Sequence, residues 1–138
     1  MKRQVNITHN AINSTMSSVD NVNLSNLDNI VNCSIDTLFC SILEYIPSQD
    51  MAPLIPKLLD KIRKGGSIVI RFSNFKKICI EYINQIIDDT TIFKELQAKQ
   101  QILSMDSILS LLREHTFVVN KIDQENNIIV IVAERTSI

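Results

Sequence analysis

Only two of the 138 residues are glycine, and they are neighbours, Gly65 and Gly66, in the stretch 61-KIRKGGSIVIRF-72. A backbone that turns tightly or lies against a ligand needs residues without a Cβ, so this chain has a single place for such a feature. Glycines beside lysines can cradle a phosphate, but a phosphate loop runs from a strand into the start of a helix. Here the order is reversed: a helical pattern precedes the pair, and an apolar, β-branched run follows it. Gly65 is therefore expected to be the left-handed residue that stops a helix, with Lys61, Arg63 and Lys64 at the negative end of its dipole. Residues 67–72 then read as an interior strand.

The remaining pattern extends this unit in both directions. Met51, Leu54, Ile55, Leu58, Leu59 and Ile62 recur every three or four residues, one apolar helical face, and Pro53 and Pro56 place the regular start of that helix near Pro53. Upstream, the apolar run from Ile35 to Ile42 predicts a buried strand passing into a short helix at about 42–46. Downstream, Ile78, Cys79, Tyr82, Ile83, Ile86 and Ile87 trace a helical face, and a polar helical piece follows at about 91–101. Ser104 caps a helix to about Glu114, and 117–134 reads as two strands joined by a polar turn at 124–127. Residues 1–33 are rich in Asn and Ser, with short alternating pieces at 5–7 and 22–24 that suit short strands or turns. Strand, helix, strand, helices and a terminal hairpin make an α/β sheet, parallel first and antiparallel at its end.

Composition narrows the function classes. Lysine plus arginine (14) balance aspartate plus glutamate (15), which gives no basic footprint for nucleic acid or an anionic membrane. No apolar run approaches a membrane span and the amino terminus lacks the apolar centre of a signal peptide, so a soluble, cytoplasmic protein is expected. Cys33, Cys40 and Cys79 are spaced as buried hydrophobes rather than metal ligands or disulfides, and His9 and His115 share no ligand spacing; no metal site is expected. Walker loop, nucleophile elbow and histidine triad patterns are all missing.

Three segments resemble, in order, the second half of a class I S-adenosylmethionine-dependent methyltransferase. The stretch 34-SIDTLFCSILEYI-46 is similar to that family's fourth strand and the turn after it. The stretch 54-LIPKLLDKIRKGGSIVI-70 is similar to its helix, glycine turn and fifth strand, and 104-SMDSILSLLREHTFVV-119 followed by 128-IIVIVAE-134 to its last helix and final strands. The resemblance runs from about 34 to 135 and implies a single domain over 1–138: a truncated Rossmann-like sheet of parallel strands with a C-terminal antiparallel hairpin and flanking helices, preceded by a shortened, divergent region at 1–33. In the family a Gly-rich loop after the first strand and acidic residues after the next strands hold the cofactor. No glycine precedes Gly65, and 35 residues are too few for three strands and two crossover helices.

What the resemblance implies for the site is correspondingly reduced. Asp20 and Asp28 are the acids left to imitate the cofactor contacts, against a reading as turn and cap residues. Cys40 and Ser41 end the fourth strand on the ligand side. Glu44 and Tyr45 stand where the family has glutamate and histidine; Glu44 is a candidate base or ligand contact, against a reading as a carboxylate capping backbone amides, and Tyr45 suits packing better than acid/base work. Arg71, Ser73 and Asn74 follow the fifth strand, where ligands of open α/β sheets bind, against a reading as solvated polar groups. No cofactor is expected to bind unless another chain completes the S-adenosylmethionine site. The expected function is a non-catalytic, methyltransferase-like structural or interaction subunit, with a methyltransferase completed in trans as the alternative. The fourth strand, stripped of neighbours, must be covered by the N-terminal segment or by a homodimeric or heteromeric partner at the exposed sheet edge.

Overall fold

The structure, a computed structural model, describes residues 2–10 and 12–136. Six strands form one sheet: β1 (Gln4–Thr8), β2 (Asp20–Asn23), β3 (Ile35–Cys40), β4 (Ile62–Ser73), β5 (Phe117–Glu125) and β6 (Ile128–Arg135), in the order β2-β1-β3-β4-β6-β5. The first four are parallel to their neighbours, whereas β6 runs antiparallel to β4 and β5 antiparallel to β6. The helices are α1 (Ser48–Asp60), α2 (Phe75–Ile83), α3 (Asp89–Gln97) and α4 (Met105–Glu114), and short 3₁₀ turns follow β2 (Leu24–Asn29) and β3 (Leu43–Tyr45). The mixed sheet expected from the sequence, with its antiparallel hairpin at the end, is the sheet observed.

The flank of β3 that the sequence left open is closed by the chain itself. β1 pairs with β3 from Gln4↔Thr37 to Ile7↔Cys40, and β2 pairs with β1 from Val5↔Asp20 to Thr8↔Asn23. The first 33 residues therefore supply two strands. They do so with no crossover helix among the described residues, since 9–10 and 12–19 run from β1 to β2 as irregular chain.

Helix α1 starts five residues before Pro53, at Ser48. Pro53 and Pro56 lie within it, and the carbonyls they leave unbonded belong to Gln49 and Ala52, both exposed and open to water. Met51, Ile55, Leu58 and Leu59 form its buried stripe. Its carboxyl end needs no glycine. The Lys61 N–H donates back to Leu58, and the buried Arg135 guanidinium donates to the carbonyls of Ile62 at 2.6 Å and Leu59 at 3.2 Å.

The two glycines thus do not stop the helix; they lie inside β4. Pairing with β3 passes from Ile35↔Ile62 to Thr37↔Ser67, so Arg63, Lys64, Gly65 and Gly66 all stand opposite Asp36, an enlarged β-bulge. Gly65 takes φ +81°, and a Cβ on Gly66 would meet Ile62 Cγ2 at 2.8 Å and the carbonyl oxygens of Arg63 and Asp36 at 2.9 Å. The excursion is pinned from the other side by Asp36, which pairs with Arg63 and accepts the Arg3 N–H at 2.6 Å. Those two donors hold the Asp36 carboxyl below its ordinary range, the Arg3 N–H contributing most.

The core lies on one face of the sheet. Val5, Ile7, Leu38, Cys40, Ile68, Ile70, Ile131 and Ala133 point into it, met by the stripe of α1 and by Ile108 and Leu112 of α4. A right-handed β3–α1–β4 crossover accounts for the side, and the β1-to-β2 step, which moves the opposite way across the sheet, passes over the other face. That second face carries the row Asn6–Phe39–Val69–Val132 and, one step on, Arg71–Val130. Asn6 is buried beneath the connection, its Nδ2 donating to the Ser14 carbonyl at 2.7 Å and to Asn21 Oδ1 at 2.9 Å. Phe39, Val69, Val130 and Val132 are only half-buried and stand outside the core cluster.

Candidate functional site at the carboxyl ends of the parallel strands

Thr8, Asn23, Cys40 and Ser73 end the four parallel strands along one rim, and the order of connection reverses between β1 and β3, where open α/β sheets bind ligands. Two hollows open at this point. One, of about 470 Å³, is lined by Thr8, His9, Asn10, Asn13 and Asn23; the other, of about 320 Å³, by His9, Leu24, Pro47, Asp50 and Lys57. His9 forms the wall between them. Sequence reasoning passed over His9 and Asn23, because neither sits in a recognisable ligand spacing; the signal that would have found them is their place directly after, or at the end of, a short alternating strand.

The polar groups of the rim largely bond to one another. Asn23 Nδ2 donates to Asn10 Oδ1 at 2.8 Å, and Asn23 Oδ1 accepts the N–H of Ser25 at 3.0 Å and its hydroxyl at 2.9 Å. Glu44 is buried in the turn after β3, where its Oε1 accepts the N–H of Ser73 at 2.8 Å. Its Oε2 lies 4.0 Å from Lys99 Nζ, which also holds Glu95 Oε2 at 2.6 Å. The turn is further fastened by Gln101 Nε2, donating to the carbonyls of Leu43 and Ile46 at 3.0 and 2.9 Å. Burial pushes the Glu44 carboxyl above its ordinary value, and the Ser73 amide and Lys99 oppose that only in part.

The residues singled out from the sequence do not gather into one site. Glu44 and Ser73 meet through the bond just described. Asn74 is beside them, accepting the Lys77 N–H at 3.2 Å to cap α2 and donating its own N–H to Asn127 at 2.7 Å. The amide Glu44 satisfies is thus one on the neighbouring strand, not one of its own turn. Ser41 and Tyr45 flank this cluster, half-buried, with no side-chain hydrogen bond among the described residues.

The others lie away from it. Asp20 begins β2 rather than ending it, so it sits at the opposite end of the sheet, 4.0 Å from Arg3 Nη2; the residue at the ligand end of that strand is Asn23. Asp28 is exposed in the 3₁₀ turn Leu24–Asn29. Cys40, paired with Ile7 and Ile70, turns into the core beside Ile55, Ile108 and Leu112, and burial pushes its thiol up to about 11. It is packed as a member of the hydrophobic core. Arg71 is exposed on the second face, beside Val130. Among the described residues no group of histidine, cysteine and acidic side chains could hold a metal ion, and no helix is long and apolar enough to cross a membrane.

The cofactor cradle expected for such a sheet does not match these residues. After β1 the chain continues as His9 and Asn10 with no glycine and, among the described residues, no helix before β2, and β2 ends on an asparagine whose amide oxygen and nitrogen are both engaged.

No protein-family model matches the sequence, and no curated protein matches it. Solved structures do. A SAM-dependent methyltransferase from Archaeoglobus fulgidus superposes with a TM-score of 0.65 at 13% identity, over 96% of this chain and 86% of that one. One from Thermotoga maritima gives 0.65 at 12% identity, over 98% and 83%, and one from Mesorhizobium loti 0.62 at 12%, over 96% and 90%. At that identity the likeness is one of fold: the chain has the Rossmann-like fold of the SAM-dependent methyltransferases, and the likeness takes in β1 and β2 as well as the 34–135 segment.

Proposed function

We propose that this chain is a non-catalytic, methyltransferase-like protein that serves as a structural or protein-interaction subunit. The observation that carries the reading is the state of the strand ends at the switch point. Asn23, in the place of a ribose-binding acid, uses its amide on Asn10 and Ser25, and the loop leaving β1 has side chains where a cofactor needs bare backbone. Glu44, the candidate base, is committed to the Ser73 amide and faces Lys99, which Glu95 also holds, a strut between the ends of β3 and β4.

A second reading has an observation of its own. The hollows on either side of His9 lie where α/β sheets take ligands, and the structural neighbours are SAM-dependent enzymes, so a methyltransferase whose S-adenosylmethionine site is completed by another chain would place the cofactor there.

Calorimetric titration with S-adenosylmethionine and S-adenosylhomocysteine separates the two. No heat of binding supports the first reading. Micromolar binding, worth about 8 kcal/mol, overturns it, and in that case His9→Ala and Asn23→Ala should weaken the affinity.

A further inference from the structure

We propose that the second face of the sheet is covered by the α2–α3 arm of another copy of this chain, in a reciprocal dimer. The proposal rests on the reading of the chain as an interaction subunit and names its partner. It also moves the contact expected from the sequence, from a sheet edge to a sheet face.

The two surfaces lack what the other has. An α/β sheet buries both faces under helices, yet here the connection that passes over the second face has no helix among its described residues, and Phe39, Val69, Val130 and Val132 remain half-buried outside the core. The arm is a pair of helices tied by polar contacts of α2 to the β5–β6 turn, where Lys77 Nζ donates to the Asn126 carbonyl at 2.8 Å and Asn127 Nδ2 to Glu81 Oε2 at 3.4 Å. Helix α3 buries no residue and α2 only Ile78. Ile83 is 75% exposed, Ile86 70% and Phe93 60%, large apolar side chains at the end of α2, in the bend and in α3.

Charge selects the pairing. Arg71 stands exposed among the valines of the open face with no hydrogen-bond or ion-pair partner among the described residues. Nearby Lys121 is already matched by Asp123 at 3.0 Å, and Glu134 at the far end of the face takes Asn120 Nδ2 at 3.5 Å. The bend of the arm forms an open hollow of about 680 Å³ whose lining includes Ile83, Ile86, Ile87, Asp88 and Asp89. Each carboxylate uses one oxygen locally, Asp88 Oδ1 capping α3 by accepting both the N–H and the hydroxyl of Thr91 and Asp89 Oδ1 taking the Tyr82 hydroxyl, and each keeps its other oxygen for a guanidinium. Packing two open faces together would instead set the Arg71 of each copy among the apolar groups of the other. Because every chain carries one arm and one face, a two-fold exchange satisfies both and closes the assembly.

The test is the mass in solution of the full chain, by sedimentation, beside that of Arg71→Glu and Phe93→Asp. Both substitutions are at exposed positions, and unchanged circular dichroism confirms that each variant folds. The wild type should run as a dimer, each variant should weaken the association by roughly tenfold or more, and an equimolar mixture of the two variants should recover part of it. The mixture is decisive because the intact arm of the Arg71→Glu chain can dock on the intact face of the Phe93→Asp chain. A monomeric wild type overturns the proposal, as does disruption by only one variant, which would indicate face-to-face or arm-to-arm packing, or a mixture that does not recover. Titration of the same preparations with S-adenosylmethionine keeps the outcomes apart: a dimer that binds it defeats the non-catalytic reading alone, and a monomer that does not bind it defeats the dimer alone.

Discussion

Replacing Glu44 by glutamine and by alanine tests whether this carboxylate is a strut. In the wild type one oxygen takes the Ser73 amide at 2.8 Å, and the other faces Lys99 at 4.0 Å. Alanine leaves a Ser73 N–H without an acceptor, about 1–3 kcal/mol, and opens space where the side chain was, about another 1 kcal/mol. Its loss should therefore total roughly 2–4 kcal/mol. Glutamine keeps an oxygen for Ser73, and Lys99 keeps Glu95, so at neutral pH it should cost less than about 1 kcal/mol. Burial raises the folded-state pKa of Glu44 above its ordinary 4.5. The folded chain therefore retains a proton at pH values where the unfolded chain has lost it. This contribution to stability is fully present below pH 4.5 and is lost as pH rises through the raised value. Urea denaturation at acid and neutral pH, with constant m, measures both effects. Wild type should lose ground to Glu44→Gln as pH rises. If glutamine is as damaging as alanine at neutral pH, or if wild type gains on glutamine with rising pH, the ionised charge and not the acceptor oxygen holds the turn, and the argument fails.

Other residues carry equally specific outcomes. Gly66→Ala should cost about 1–3 kcal/mol, because its Cβ would press on two backbone carbonyls; Gly65→Ala should cost about 1–2 kcal/mol from the left-handed backbone alone, and Gly65→Asn less, all read from denaturation midpoints. Arg135→Met should lower stability by roughly 1.5–3 kcal/mol by releasing the carbonyls of Leu59 and Ile62; a midpoint unchanged from wild type would show that these carbonyls find water instead. In thiol labelling at mildly alkaline pH, half-buried Cys33 and Cys79 should react first, and Cys40, with its thiol near 11, only as fast as the chain unfolds.

Segments whose structure follows from neighbours in sequence were legible. The stripe of α1, the Ser104 cap of α4, the strand through 67–72 and the polar turn of the β5–β6 hairpin all follow from periodicities of 3.6 or 2 and from local cap chemistry. The glycine pair was misplaced because a helix, two glycines and a strand look alike whether the glycines end the helix or bulge the strand. Only pairing with Asp36 shows that β4 has already begun at Ile62. Asp20 and Asn23 exchange importance for the same reason: parallel register decides which end of a four-residue strand faces the rim.

The candidate site was legible as a location more than as a set of contacts. Glu44 could be singled out, but its partner amide is 29 residues away on another strand, and Cys40 could be placed at a strand end without showing that it turns inward. By itself the sequence determined an α/β sheet with a terminal hairpin and excluded a Gly-rich cofactor loop, since these depend on residue type and short-range spacing. The tertiary structure alone decided that the first 33 residues contribute two strands, that the rim side chains bond to each other, and that the connection from β1 to β2 crosses its sheet face with no helix among the described residues. Those outcomes depend on which distant strands pair and on which side each connection crosses, and no local pattern encodes either.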